Sequence, residues 1–482
     1  MSQLDIIAEA RLEDLFCVAN IFAQSLRHAV KGASSAQVLR HGVFAVAVGV
    51  VGAAASVALC LVVGWAYDLV CAHDWLLYLL PIFAVASLLL YRALKLPLDT
   101  TTHTVINDIC ADRPISPALA PGILLGTALS ILGGASVGKE AAALHMGASL
   151  GDLVARPLKL RPLTGVWKGG SRADGAGGTS GGDGAVGSAS ASGGAGNGGG
   201  ASGGVHAYAA SCGMAACFAA LFFAPLGSTA FVVELSRYDR SVWRHAPFML
   251  LACFVAFGLA SIIGIGDVIP KVPLPALSWP VVGQCVVIAV ACALVGTVYI
   301  QIIDGAQRLT KRISQNYYLW AALGGVLMAV LVTLFDWRGF EGTGANLLSD
   351  ALAGRAGGWT FAVKALLTIV CLGLWLRGGE IMPTFTVGAL LGASCTVMTQ
   401  GDPAFSAAVG LVAFFAAMSR CPVTAFLMGC EIFGWGGAPA FALAVAVAFS
   451  LGRDVGLYGR GATGILKRAT SAARARLVVK KP

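Results

Sequence analysis

The sequence predicts an all-α polytopic membrane protein with two inverted-topology structural repeats that contain broken and re-entrant helices. The first observation is composition: 57% of the 482 residues are hydrophobic and only 12% are charged, whereas soluble domains carry about 25% charged residues. The second is a recurrence of apolar runs. Several exceed the roughly 20 residues that span a bilayer, and others are shorter or interrupted by Gly and Pro, as in helices that stop partway across a membrane. The third is an internal repeat.

The repeat is clearest in two segments that share three glycines in register. GKEAAALHMGASLG occupies residues 138–151, and GEIMPTFTVGALLG occupies residues 379–392. Each copy has a glutamate close to its first glycine, Glu140 in one and Glu380 in the other, at the head of an apolar helix. A carboxylate is costly to bury in such a place, and helix N-termini attract anions. The two glutamates are therefore the first candidates for function.

Further segments repeat in the same order. APLGSTAFVVE at 224–234 matches CPVTAFLMGCE at 421–431, and TVINDICAD at 104–112 matches NLLSDALAG at 346–354 more weakly. The first two repeated segments begin 86 positions apart in the first half and 42 in the second. The difference of 44 is close to the length of the Gly/Ser/Ala-rich tract at 169–204 and its flanks. Two related halves with an inserted flexible linker are typical of transporters built from structural repeats.

The chain divides into six segments by composition. We predict a cytoplasmic amphipathic N-terminal segment 1–38, the first part of repeat 1 at 39–162, a disordered linker 163–205, the rest of repeat 1 with its link at 206–268, repeat 2 at 279–459 and a basic cytoplasmic tail 460–482. The first 38 residues lack the layout of a signal peptide. Basic residues flank the spans, so the net charge of +9 favours the lipid bilayer over nucleic acid as a partner. We expect a multi-pass protein of the plasma (inner) membrane with both termini cytoplasmic.

The candidate residues each have a structural alternative. Glu140 either occupies an anion site or is a simple first-turn glutamate at the lipid–water interface, and Glu380 either lies on an ion pathway or forms a salt bridge with Arg377. Tyr458 alone would be read as an interfacial aromatic residue. We expect His145 to be a packed helix residue.

Other polar and sulfur-containing residues carry structural expectations. The threonines at 100–102 are possible helix N-caps, and Glu234 and Glu431 end apolar helices, which suggests a structural role. Thirteen scattered cysteines read as small buried hydrophobic residues. No nucleophile–base pair, metal cluster or cofactor motif is present in the sequence, so we expect no enzyme, no metal and no cofactor.

Five motifs carry a resemblance to a known family. GKEAAALHMGASLG resembles the Gly-Lys/Arg-Glu-Gly-Pro segment of the CLC family of chloride channels and chloride/proton antiporters, and GGEIMPTF takes the place of its Gly-x-Phe-x-Pro segment. APLGSTAFVVE and CPVTAFLMGCE resemble the two related proline-to-glutamate helices of that family, and GLYG resembles its late tyrosine motif. The order and spacing agree over roughly residues 40–465.

This resemblance implies a CLC-like fold and a homodimer with one anion pathway per subunit. It makes Glu140 the gating and proton-coupling glutamate, with Glu380 as a second such site. The family's first anion-binding segment falls on DTTTH at 99–103, where the coordinating serine maps near Thr100. The residues that the resemblance implies in anion binding are Thr100, Thr101, Lys139, Ile381, Met382 and Tyr458.

Departures from the family pattern bear on the ion. Ala141 and Ala142 replace the Gly-Pro that follows the gating glutamate, and Leu235 stands where many proton-coupled members have an inner glutamate. A glutamate after a double glycine, as at Glu380, is similar to the branch that exports fluoride in exchange for protons, although Met382 replaces the usual threonine of that branch. Fluoride is strongly hydrated, and a protonated Glu380 would offer it a strong hydrogen bond.

The sequence therefore predicts a halide transporter of the CLC type. Anion/proton antiport is favoured, with fluoride somewhat ahead of chloride, so halide ions and protons are the expected partners. A passive voltage-gated-type chloride channel on the same fold is the first alternative. A non-transporting membrane scaffold is the second, and the loss of glycines from the first anion-binding segment is its best support.

Overall fold

A computed structural model describes residues 34–160, 204–236, 240–266, 269–452 and 455–460. Most of the predicted N-terminal segment 1–38, of the linker 163–205 and of the tail 460–482 therefore lies outside the described residues. The secondary structure of the described residues is almost entirely helical, as predicted, and their only strands are two of two residues each, which form a hairpin near the end.

The described part of the first half contains eight α-helices and a 3₁₀ segment at Asp74–Leu79 that leads into α2. The helices are α1 Ser35–Ala72, α2 Leu80–Ala93, α3 Thr102–Cys110, α4 Leu119–Leu132, α5 Glu140–Leu158, α6 Val205–Phe222, α7 Pro225–Leu235 and α8 Arg240–Ile263. Proline occupies the first position of α7, where its missing N–H costs nothing.

The second half repeats this order. Its helices are α9 Trp279–Ile313, α10 Tyr317–Phe335, α11 Ala345–Leu352, α12 Thr360–Gly373, α13 Ile381–Ser394, α14 Thr396–Thr399, α15 Pro403–Ser419, α16 Pro422–Phe433 and α17 Ala438–Leu451. Short 3₁₀ turns lie at Arg338–Phe340 and Trp435–Gly437, and β1 Val455–Gly456 pairs antiparallel with β2 Gly459–Arg460. Along the chain, α11, α12 and α13 correspond to α3, α4 and α5, and α15, α16 and α17 correspond to α6, α7 and α8.

Seven described helical segments are long and apolar enough to cross a membrane by length and composition. These segments are Ser35–Ala72, Asp74–Ala93, Val205–Phe222, His245–Ile263, Trp279–Ile313, Tyr317–Phe335 and Ile381–Thr399. In the most apolar window of Val205–Phe222, 89% of residues are buried inside the protein, against 33% for Tyr317–Phe335. The first lies at the centre of the helix assembly, and the second presents its apolar surface outward, where lipid would cover it. Six further apolar helices have 10–17 residues, as the predicted interruptions require.

Glycine contacts show that the two halves pack their central helices in the same way. A Cβ atom added to Gly213 on α6 would overlap the carbonyl oxygen of Gly147 on α5, and one added to Gly410 on α15 would overlap that of Gly388 on α13. Close helix–helix contact of this kind needs residues without side chains. The repeated glycines of the sequence therefore mark matching crossings, α5 with α6 and α13 with α15.

Glu234 and Glu431, which lie at the ends of the repeated proline helices, each accept hydrogen bonds from the start of the corresponding helix in the other half. Glu431 on α16 accepts from the backbone N–H groups of Leu226 (2.9 Å) and Gly227 (2.7 Å) at the start of α7. Glu234 on α7 accepts from the N–H of Thr424 at the start of α16 (2.8 Å) and also from its hydroxyl. Each carboxylate thereby satisfies the N–H groups that a helix start leaves without partners. The structural role expected for both residues is confirmed.

Candidate functional site

The loops that precede α5 and α13 meet at their glycines. The Gly138 N–H donates to the Gly379 carbonyl and the Gly379 N–H donates to the Gly138 carbonyl, both at 2.6 Å. This antiparallel bridge pairs the same two glycines that align in the sequence repeat. It brings the N-termini of both helices side by side in the protein interior, and both N-termini carry partial positive charge.

Glu140 lies where these helix ends converge. It is the first residue of α5 and has no exposed surface. Its Oε2 atom accepts a hydrogen bond of 3.0 Å from the backbone N–H of Met382, the second residue of α13. A Cβ atom at Gly138 would collide with this carboxylate. The glycine is therefore required for Glu140 to reach the other helix, and the carboxylate takes the place that an anion would occupy there.

Glu380 immediately precedes α13 and is half-buried. Its carboxylate lies next to the side-chain hydroxyls of Thr102 and Tyr458. Thr102 is the first residue of α3, and Tyr458 lies in the turn between β1 and β2. Two separated parts of the chain thus place groups that can donate hydrogen bonds beside this carboxylate.

A cavity of about 360 Å³ opens beside Glu380. Its polar lining includes Asp99, Thr102, His145, Lys311, Arg377 and Glu380. Lys311 lies 3.7 Å from Asp99, and both side chains are partly exposed, so this pair lies at the open end. The cavity therefore extends from solvent-accessible charges to the half-buried Glu380.

Arg377 is held in the wall of this cavity by carbonyl groups. Its guanidinium donates to the Thr100 carbonyl at 2.8 Å and to the Leu98 carbonyl, and it lies over the Tyr91 ring at 4.1 Å from the centroid. Within the described residues it forms no ion pair with Glu380. The alternative that Glu380 serves as the salt-bridge partner of Arg377 is therefore wrong, because the guanidinium is committed to the loop before α3.

The predicted threonines line the cavity but use their hydroxyls locally. The Thr100 hydroxyl donates to the Pro97 carbonyl at 2.7 Å, and the Thr101 hydroxyl caps α3 by accepting from the Thr104 N–H at 3.3 Å. Thr102, the next residue, is the one whose hydroxyl lies by Glu380. From the sequence, Thr102 is expected only as one of the possible N-caps at 100–102 and not as a binding residue. The anion-binding roles of Thr100 and Thr101 stay predictions.

The other predicted residues lie around the two glutamates. Lys139 is half-buried at the residue before α5, and Ile381 and Met382 are the first two residues of α13, both buried. Tyr458 is 7% exposed and packs edge-on against the Phe231 ring, with 5.7 Å between centroids. All four come within the region where α5 and α13 converge, and their anion-binding roles stay predictions.

His145 is a buried helix residue, as expected. It lies on the second turn of α5, is 3% exposed and is among the residues that line the cavity. In the part of the chain that the structure describes, no group of three or more His, Cys, Asp or Glu residues is arranged to hold a metal ion.

Comparison with known proteins identifies the family. The family model described as voltage gated chloride channel matches residues 82–453. The chain belongs to this family, the CLC family, and is a multi-pass membrane protein of the anion exchanger or channel type. The resemblance and the fold predicted from the repeated motifs are confirmed.

Two relatives show the range of the match. A protein of Pseudomonas syringae pv. tomato (strain ATCC BAA-871 / DC3000), named chloride/fluoride channel protein, is 26% identical over 404 residues, which are 80% of this chain and 78% of the relative. A protein of Vibrio parahaemolyticus serotype O3:K6 (strain RIMD 2210633), named H(+)/Cl(-) exchange transporter ClcA, is 28% identical over 253 residues, which are 47% of this chain and 52% of the relative.

Solved structures share the fold. The crystal structure of a CLC-type fluoride/proton antiporter matches with a TM-score of 0.75 at 21% identity, over 88% of this chain and 98% of that one. The crystal structure of a slow cyanobacterial Cl⁻/H⁺ antiporter matches with a TM-score of 0.65 at 16% identity, over 91% and 99%. At these identities the similarity shows the fold alone.

Proposed function

We propose that this protein exchanges a halide for protons across the plasma (inner) membrane, with fluoride favoured over chloride. The observation that carries this proposal is the hydrogen bond from the Met382 N–H to the buried Glu140 carboxylate. A negatively charged side chain at the N-terminus of another helix occupies a site suited to a negatively charged passenger. We further propose a homodimer with one pathway per subunit and both termini in the cytoplasm, as the CLC resemblance implies.

The exchange follows from competition for the start of α13. An ionised Glu140 holds the Met382 N–H and keeps a halide out. Protonation removes the charge, weakens that hydrogen bond and lets the side chain leave, so that the halide takes its place. Each return of the carboxylate displaces the halide and releases the proton. Glu140 therefore carries the proton and gates the anion with the same atoms.

Glu380 serves in this proposal as the second proton and hydrogen-bond site. Its carboxylate lies between the cavity and the converging helices, beside the Thr102 and Tyr458 hydroxyls. When protonated it donates a hydrogen bond to an anion, and when ionised it repels one. The protonation state of Glu380 thereby links proton and halide movements at a second point of the pathway, on the cavity side of Glu140.

Fluoride is favoured because it needs the strongest hydrogen bonds. A small, strongly hydrated anion enters a site only where donors replace the lost water. The carboxyl and two hydroxyls around Glu380 offer such donors. The naming of one relative as a chloride/fluoride channel protein and the fold shared with a fluoride/proton antiporter also support fluoride.

The test is flux from vesicles that contain the purified full chain. Ion-selective electrodes follow fluoride and chloride efflux, and a pH electrode follows protons in the same vesicles. We expect an outward halide gradient to drive proton uptake against a proton gradient, faster with fluoride than with chloride. Proton movement that does not depend on halide contradicts exchange, and equal or faster chloride efflux contradicts the fluoride preference.

Two other functions are outcomes of the same experiment. Halide efflux that does not depend on a proton gradient supports the passive chloride channel. The name of the Pseudomonas syringae relative, chloride/fluoride channel protein, favours this function. Vesicles that pass neither halide support the non-transporting scaffold.

A further inference from the structure

Lys364 is a cation buried inside the second half. It lies on the second turn of α12 and has no exposed surface, and its Nζ atom donates to the carbonyls of Phe340 (3.0 Å) and Gly342 (2.8 Å). These two carbonyls flank Glu341, so the lysine holds the backbone on both sides of that residue. A buried charge is costly unless other groups compensate it. Among the described residues, its titratable neighbours are the Glu341 carboxyl and the Cys371 thiol.

Glu341 is a second buried ionisable group, in the loop before α11. It is 6% exposed, and its Oε1 atom has no hydrogen-bond partner in the part of the chain that the structure describes. The Arg338 Nη1 atom is 3.8 Å from that oxygen, and a Cβ atom added to Gly134 would lie 2.9 Å from the Oε2 atom. Burial raises the pKa of this carboxyl from 4.5 to about 7. Glu341 can therefore take up a proton near neutral pH.

A short chain of contacts leads from Lys364 to the start of α13. A Cβ atom at Gly344 would lie 2.7 Å from the Lys364 Cε atom and 3.0 Å from the Thr386 Oγ1 atom, so both side chains pack against that glycine. The Thr386 hydroxyl donates to the Met382 carbonyl one turn earlier on α13, at 3.0 Å. Met382 is the residue whose N–H holds Glu140. Because four residues of an α-helix span about 6 Å, the Lys364 charge lies on the order of 10 Å from the proposed halide position.

The other charged and titratable groups that face Glu341 come from three elements. Arg338 and Asp74 form an ion pair of 3.6 Å at the surface, so their charges offset each other. The Tyr67 side chain on α1 also lies near the carboxyl, and a phenol carries no charge at neutral pH. Glu341 and Lys364 are therefore the pair whose net charge changes. It is zero without the extra proton and +1 with it, whichever member carries that proton.

We propose that Glu341 and Lys364 are positioning residues for the halide, and that their pair gains a positive charge on proton uptake and thereby strengthens halide binding at the start of α13. The inference rests on the proposed transport function and adds a third carboxyl through which protons act on the anion. The action is electrostatic, so neither side chain touches the halide. By linkage, halide binding favours proton uptake by the pair to the same extent. At an effective dielectric constant of about 20, one unit charge at about 10 Å changes the halide affinity roughly tenfold.

Calorimetry at two pH values measures this effect. The protein is the detergent-solubilised full chain with E140A, which removes the competing carboxylate and its proton, and the probe is fluoride. We expect the fluoride Kd of E140A to be larger at pH 8.5 than at pH 5.5. Adding E341Q should reduce the ratio of these two Kd values by about tenfold, because the pair then keeps its positive charge at both pH values. Any contribution of Glu380 is common to both proteins and cancels in the comparison.

Two further variants test the cation and the specificity of the effect. In the E140A background, K364M should raise the fluoride Kd at pH 5.5 about tenfold, because the positive charge is lost. Asp350 on α11 provides the matched control, because it is an acid of the same half that is exposed and pairs with Arg355 at 2.6 Å. D350N should leave both Kd values unchanged.

The outcomes separate the inference from a structural role and from the proposed function. A structural role of Glu341 alone would shift the thermal midpoint of E341Q and leave the ratio of the Kd values unchanged, and this result overturns the inference. So does a D350N effect as large as that of E341Q, or an unchanged Kd in folded K364M. The E341Q comparison decides the matter if K364M does not fold. A wild-type protein that moves no halide in vesicles instead refutes the proposed function.

Discussion

Replacing Glu140 by alanine should uncouple the halide from protons and strengthen halide binding. The carboxylate competes for the Met382 N–H through a buried, charge-assisted hydrogen bond of 3.0 Å. Such bonds contribute roughly 1.5–3 kcal/mol. Removing a competitor of that strength should lower the apparent Kd for halide by about 10- to 100-fold, since 1.4 kcal/mol is about tenfold.

Titration calorimetry on the detergent-solubilised protein gives the halide Kd, and electrodes in vesicles give the two fluxes. E140A should keep halide efflux and lose uphill proton uptake. The control is E234Q, because Glu234 is also a buried glutamate that accepts backbone N–H groups at the start of a helix of the other half. E234Q should keep proton coupling. Uphill proton movement by E140A, or an unchanged halide Kd, would refute the competition mechanism.

Three further predictions concern stability. E431A should lower the thermal midpoint in detergent by several degrees, because the two N–H groups at the start of α7 lose their acceptor at a cost of about 1–3 kcal/mol each. The proton-to-halide ratio of the protein that remains folded should stay the same. An unchanged midpoint contradicts the reciprocal capping. G213V should prevent folding because the valine side chain would overlap the α5 backbone. G258V is the control and should fold, because a Cβ atom at Gly258 meets nothing within 4 Å. Equal yields of the two variants on size-exclusion chromatography would contradict the close crossing of α5 and α6. Burial raises the pKa of the Glu341 carboxyl from 4.5 to about 7, so its stabilising contribution is full below about pH 4.5 and is lost as the pH rises through about 7. E341Q should therefore be more stable than the wild type above pH 7, by up to about 3 kcal/mol in the free energy of unfolding, and midpoints that run parallel from pH 5 to 8.5 would exclude this.

The repeat made most of the fold predictable. Shared glycines in 138–151 and 379–392 correspond in the structure to the Gly138–Gly379 bridge and to matching helix crossings. These glycines repeat because the central helices of both halves pack in the same way, and a Cβ atom at these positions would clash with the neighbouring backbone. Glu140 could be found in the same way, since an acidic residue at the head of an apolar helix has few structural explanations.

Contacts between distant segments could not be predicted from local pattern. Thr102 differs from its neighbours because it is the first residue of α3, whereas the Thr101 hydroxyl caps that helix and the Thr100 hydroxyl donates to the Pro97 carbonyl. Arg377 precedes Glu380 by three positions, but the loop before α3 captures its guanidinium. His145 has apolar neighbours in the chain, and its polar environment comes from another loop.

The paired glycines restrict how the molecule can move. Many repeat transporters alternate access by rocking one half against the other around the bound substrate. Here the halves are joined by two short backbone hydrogen bonds at Gly138 and Gly379, next to the ion site itself. A displacement of α5 relative to α13 at that point would break both bonds in a buried region, where unpaired N–H and C=O groups are costly. In the proposed exchange, the bridge therefore favours movement of the Glu140 side chain while the backbone at Gly138 and Gly379 stays paired.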